Sequence, residues 1–129
     1  MTKKTLRNRR PLRFEKLEER RLLATYVVSN TADSGMGSLR QAILESNASL
    51  ARDTIAFSIA SIPRKIEPKS GLPPITDPVT IDATTQPGYA GTPIVELSGK
   101  LLSNGEYGLI LKAGLSEVRG FVINQFPGF

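Results

Sequence analysis

V-T-I-D-A at residues 79–83, I-V-E-L-S-G at 94–99, G-L-I-L-K-A-G at 108–114 and V-R-G-F-V-I-N at 118–124 form the stretch from which the fold is read, Val79–Asn124. Each is a short apolar run with period-two alternation, bounded by Gly, Pro, Asn or Ser. None is long enough for an amphipathic helix, and β-branched residues dominate most of them, as a pleated surface favours. Alternation turns Val79 and Ile81 inward with Thr80 outward, and Val95 and Leu97 inward with Glu96 to solvent. It also turns Leu109 and Leu111 inward. Gly120 interrupts the last run where two short strands would meet at a corner, and Asn124 suits a left-handed turn. Runs spaced like rungs predict a coiled β-solenoid.

Working outward, Asp53–Ile59 alternates cleanly, with Ile55, Phe57 and Ile59 on one face, and reads as the first full rung. Residues 62–69 are basic and broken by Pro63 and Pro68, which predicts a loop. Leu72-Pro73-Pro74-Ile75 cannot be a central strand, because neither proline has an amide to donate. Tyr26-Val27-Val28 reads as a short strand leading into a turn-rich segment. One helix follows. Ser38 is placed to N-cap it, and Gln41 to complete a capping box. Leu39, Ala42, Ile43 and Leu50 supply the apolar side, while Asn47 and the Ala-Ser pair after it fit the end. Ser38, Leu39, Arg40 and Ile43 therefore form a structural cap over the first rung, with Leu39 and Ile43 buried and Arg40 tied to a carboxylate or to loop carbonyls.

The chain of 129 residues fits one domain, and 11 Gly and 9 Pro point to many turns rather than long helices. With neither Cys nor His there are no disulfides, no thiol or imidazole metal ligands, and no Cys or His catalyst. The net charge is +5, but nine of the 17 Lys and Arg fall within residues 1–21, against three of the 12 acids. That segment carries +6 and the remainder −1, so the basicity belongs to a leader. Nucleic acid is therefore disfavoured as a partner. The leader lacks the apolar centre of a secretory signal peptide, and no stretch is apolar and long enough to span a bilayer.

Two stretches carry resemblances. F-E-K-L-E-E-R-R-L-L-A at residues 14–24 resembles the Phe-Glu-x-Leu-Glu-x-Arg-x-Leu-Leu element of large exported or surface proteins of planctomycete-type bacteria. Glu19 stands where that family usually has Pro. The likeness implies an extracellular or cell-surface location, with residues 1–25 as a leader. Phe14, Leu17, Leu22 and Leu23 would share one stripe if the leader is helical. Next, Gly37-Ser38-Leu39-Arg40-Gln41-Ala42 resembles the Cys-Ser-Leu-Arg-Glu-Ala segment of polymorphic outer-membrane-type proteins, with the Cys and the Glu replaced. The stretch L-P-P-I-T-D-P-V-T-I-D and the loop Asp82–Pro93, D-A-T-T-Q-P-G-Y-A-G-T-P, extend that likeness. It implies an all-β, right-handed parallel β-helix that begins with a short capping α-helix. Residues 26–129 would then be the cap and the first coils of an incomplete solenoid.

No catalytic group declares itself. Enzymes on that fold, lyases and hydrolases of polysaccharides, use clustered carboxylates, often with Ca²⁺. Here Asp53, Asp77, Asp82, Glu96, Glu106 and Glu117 are scattered through turns and edges. No cofactor is expected, and a Ca²⁺ site has no support in the spacing. Gln86, Tyr89, Asp82 and Glu96 are the surface groups of a type that contacts carbohydrate, although satisfying one another in a bulge explains them as well. Gln86-Pro87-Gly88-Tyr89 should be a tight turn. The expected function is a non-catalytic structural or adhesive module, with the amino-terminal part of a carbohydrate-active enzyme as the alternative. The expected partners are downstream coils, or a second copy at the carboxyl-terminal edge, together with polysaccharide or other cell-surface components. The last run brings no polar closing segment after Phe121, Ile123 and Phe126.

Overall fold

The computed structural model describes residues 23–127. The basic leader assigned to residues 1–25 lies outside that range except for its last three positions, and so do Phe14, Leu17 and Leu22 of its proposed stripe. In chain order the elements are β1 (Leu23–Val28), α1 (Leu39–Ala48), β2 (Arg52–Phe57), β3 (Lys65–Ile66) and β4 (Val79–Asp82). A single 3₁₀ turn (Ala83–Thr85), β5 (Val95–Ser98), β6 (Glu117–Arg119) and β7 (Phe121–Asn124) complete them. Two sheets result, one ordered β1-β2-β4-β6 and the other β3-β5-β7, and every strand pair in both is parallel.

This is an α/β arrangement of two parallel sheets and one helix. It corrects the expected all-β, closed right-handed β-helix. Closure would need a third wall of strands joining the sheets. Among the described residues that position holds one isolated bridge, Ile75 to Leu111. Ile75 N–H donates to the Ile110 carbonyl and Lys112 N–H to the Ile75 carbonyl, both at 2.8 Å, and the ladder stops there. Pro73, Pro74 and Pro78 remove donors on one side of this bridge. Gly105, Gly108 and Gly114 weaken strand formation on the other.

Alternation correctly places most of the core. Ile55, Phe57, Ile59, Val79, Ile81, Val95 and Leu97 are all buried; Ile66 joins them from β3, and Leu72 and Ile75 from the connection that follows it. The Phe57 and Phe121 rings meet edge to face at 5.1 Å, a favoured aromatic geometry that links the two sheets. α1 lies against β1 and β2 and buries Leu39, Ala42 and Ile43 in the same core. Ser38 caps it as expected, its Oγ accepting from Gln41 N–H at 3.1 Å. The Gln41 side chain does not close a capping box. It donates to Glu45 instead, and Ser38 N–H is satisfied by the Gly35 carbonyl.

Four further expectations change. Residues 62–69 are not all loop, because Lys65–Ile66 pairs with β5 and carries Ile66 into the core. Leu50 lies past the end of α1 and is 94% exposed, so it is no part of the apolar stripe. Leu109 packs against the core, but Leu111 is 44% exposed, because residues 108–114 form only the single bridge at Leu111 and no continuous strand to hold the alternation. The left-handed residue after β7 is Gln125, at φ 60°, and not Asn124, which still pairs with β5. Gly120 does form the corner between β6 and β7. Its φ is +83°, and a Cβ there would lie 2.7 Å from Thr84 N.

Leu39→Ala should cost about 2–5 kcal/mol, as for other large-to-small core changes. Ser38→Ala should cost about 0.5–2 kcal/mol, as for a lost N-cap. Denaturant titration separates the two, and equal small effects would mean that α1 does not close the core.

Candidate functional site

β4 ends at Asp82, and the 3₁₀ turn that follows takes the backbone away from β2. Phe57 and Ile59 thereby lose ladder partners on that side, and two side chains replace them. Thr85 Oγ1 accepts from Phe57 N–H at 2.8 Å. Gln86 Oε1 accepts from Ile59 N–H at 2.8 Å, while its Nε2 donates to the Ile59 carbonyl at 3.0 Å. Gln86 is 2% exposed. It is an internal staple, and its amide is not presented to a ligand. Tyr89 N–H donates to the Gln86 carbonyl, and Gly88 has φ +98°, so the expected tight turn forms and leaves Tyr89 half-buried.

Asp82 faces inward to its own turn. Its Oδ1 accepts from Thr84 N–H at 3.0 Å and from the Thr84 hydroxyl, while Oδ2 lies 3.3 Å from Arg119 Nε. Glu96, half-buried, stands on β5 in the other sheet. The structure therefore joins Gln86 and Tyr89 in one turn next to Asp82, and sets Glu96 apart from them.

Arg40 has the structural role that its sequence context suggested. Nη1 donates to the Gly71 carbonyl and Nη2 to the Ser70 carbonyl, each at 2.8 Å, and Nε donates to the Asp33 carbonyl at 3.0 Å. An ion pair with Asp33 at 3.2 Å completes the fork. Lys69 N–H donates to the Asp33 carboxylate, and with Arg40 this holds Asp33 below the usual carboxylate range despite some desolvation. Glu106 is lowered in the same way by donation from Ser103 N–H and Gly71 N–H.

Asp53 behaves in the opposite sense. It is 1% exposed at the start of β2, and burial pushes its carboxyl up. Ser49 Oγ donates to Oδ1 at 3.2 Å, whereas Oδ2 and the buried Ser46 hydroxyl both lack a partner.

A cleft of about 490 Å³ opens between β1 and the first turns of α1, lined by Tyr26, Val27, Ser29, Met36, Gln41 and Glu45 among others. It holds one carboxylate, and Gln41 Nε2 donates to it at 3.2 Å. One carboxylate without a second acid or base can recognise a ligand but lacks the pair that acid–base hydrolysis of a glycosidic bond requires. Sequence reading missed this cleft. It arises where a strand meets a helix, and no motif marks it. Among the described residues there is no cluster of three acids fit to hold a metal ion and no helix able to cross a membrane. Comparison with family models, curated proteins and solved structures finds no match to this chain.

Gln86→Leu should cost about 1–3 kcal/mol, because it strands the Ile59 amide and carbonyl inside the protein. The test is a denaturant midpoint, and an unchanged midpoint would show that water replaces the staple. Asp53 has a folded pKa above its unfolded one. Its contribution is therefore full below the ordinary carboxylate value of about 4 and is lost as pH rises through the elevated value. Asp53→Asn should gain stability relative to the native chain between pH 4 and pH 7 in paired titrations, and a pH-independent difference would contradict this.

Proposed function

We propose that this chain is a non-catalytic structural or adhesive module of an exported or cell-surface protein. The observation that carries the reading is where its polar side chains are engaged. Arg40, Gln86, Asp82 and Glu106 all hold the chain's own turns and crossovers. Among the described residues, the acids nearest to a carbohydrate-active arrangement, Asp82 and Glu96, lie in separate sheets. The surface location rests on the resemblance of residues 14–24, and polysaccharide as a partner rests on the hydrogen-bonding character of the cleft beside β1.

The test has two parts. The purified chain should co-sediment with insoluble envelope polysaccharide, and Glu45→Ala with Tyr26→Ala should weaken that binding. It should release no reducing ends or unsaturated products from polygalacturonate, with or without added Ca²⁺. Product release would replace this proposal with the carbohydrate-active reading, and failure to bind any envelope fraction would remove the adhesive half of it.

A further inference from the structure

The two ends of the sheet stack differ. At the β1 end, α1 covers the core, and Arg40 and Asn47 tie it to residues 70–76. At the β6–β7 end, no described element lies over the last strands. Ile123 shares the inward face with Phe121 yet is 46% exposed, and Leu115, two residues before β6, is 80% exposed.

The direction of the backbone groups at that end follows from the parallel ladder. Ser58 N–H donates to the Val28 carbonyl, so Val28 faces β2 and Ile55 and Phe57 face β4. Carried across the register, Ile81 faces β6, and Glu117 and Arg119 face back toward it. The Val118 amide and carbonyl are left pointing outward. Glu117 and Arg119 are both exposed, two residues apart on one face of the strand.

We propose that this edge pairs with the same edge of a second copy, β6 running antiparallel to β6 about a twofold axis at Val118. In that register the outward Val118 groups of the two copies exchange both of their hydrogen bonds. Glu117 lies opposite Arg119 of the second copy, and Arg119 opposite its Glu117, a reciprocal pairing of opposite charges. Arg119 keeps donors for Asp82 while it does so, since a guanidinium carries five. The exposed Leu115, two residues before Glu117 on the same strand path, then flanks the contact. Twofold pairing uses the open edge once and stops, whereas head-to-tail stacking would need a bare core at the end that α1 covers. The inference rests on the structural-module reading in naming its partner. Dimerisation and polysaccharide binding are measured separately, so either can fail alone.

The test uses the full 129-residue chain and two charge reversals in equilibrium sedimentation. The native chain should be a concentration-dependent dimer. Glu117→Arg places Arg against Arg, and Arg119→Glu places Glu against Glu. Each should weaken the dimer about tenfold, because two attractive cross-strand pairs become two repulsive ones. An equimolar mixture of the two variants should restore a dimer containing one of each. Since Arg119 also pairs with Asp82, circular dichroism of Arg119→Glu confirms that it folds, and Glu117→Arg carries the test if it does not. A monomeric native chain, an open-ended polymer, or a dimer indifferent to both reversals would overturn the proposal.

Discussion

Every strand pair in the described chain is parallel, and a parallel partner cannot be reached by a tight turn. The chain must travel away and come back between neighbours. From β2 onward it does so by alternating sheets: β2, β4 and β6 belong to one, and β3, β5 and β7 to the other. Each crossover therefore contributes a strand to the opposite sheet, and the core is what lies between the two. Phe57 and Phe121 meet across that space, so the sheets are joined by packing as well as by chain.

Crossovers leave backbone groups without ladder partners, and burying such groups unpaired is costly. The polar side chains answer this need. Gln86 and Thr85 complete the ladder of β2 where β4 has already turned away. Asn47 meets the Pro74 carbonyl and Thr76 N–H, where prolines have broken up the connection. Arg40 and Glu106 grip opposite sides of the Gly71 backbone, one taking its carbonyl and the other its amide. This engagement of amides, carboxylates and guanidinium by the chain's own backbone is the basis of the structural-module proposal. Three buried side-chain oxygens are the exception among the described residues: Ser46 Oγ, Asp53 Oδ2 and Asn124 Oδ1 have no hydrogen-bond partner.

The sequence by itself determined which side chains are buried in most strands, the start of α1, and two turns. Alternation reports which face of a strand a residue occupies, and that is local backbone geometry, so Ile55, Phe57, Val79, Ile81, Val95 and Leu97 were legible. Ser38, the Gln86-Pro87-Gly88-Tyr89 turn and the Gly120 corner are local for the same reason: a cap, a tight turn and a positive φ each depend on a few adjacent residues. Only the tertiary structure decided whether the short strands close. Evenly spaced runs fit either two open sheets or a closed coil. The outcome turned on residues 72–78 and 104–114, where one bridge forms and a third wall does not. The same holds for the roles of Gln86 and Asp53 and for the cleft beside β1. Partners 27 residues apart, as Ile59 and Gln86 are, meet only after the crossovers have set the register, and no local pattern encodes that distance.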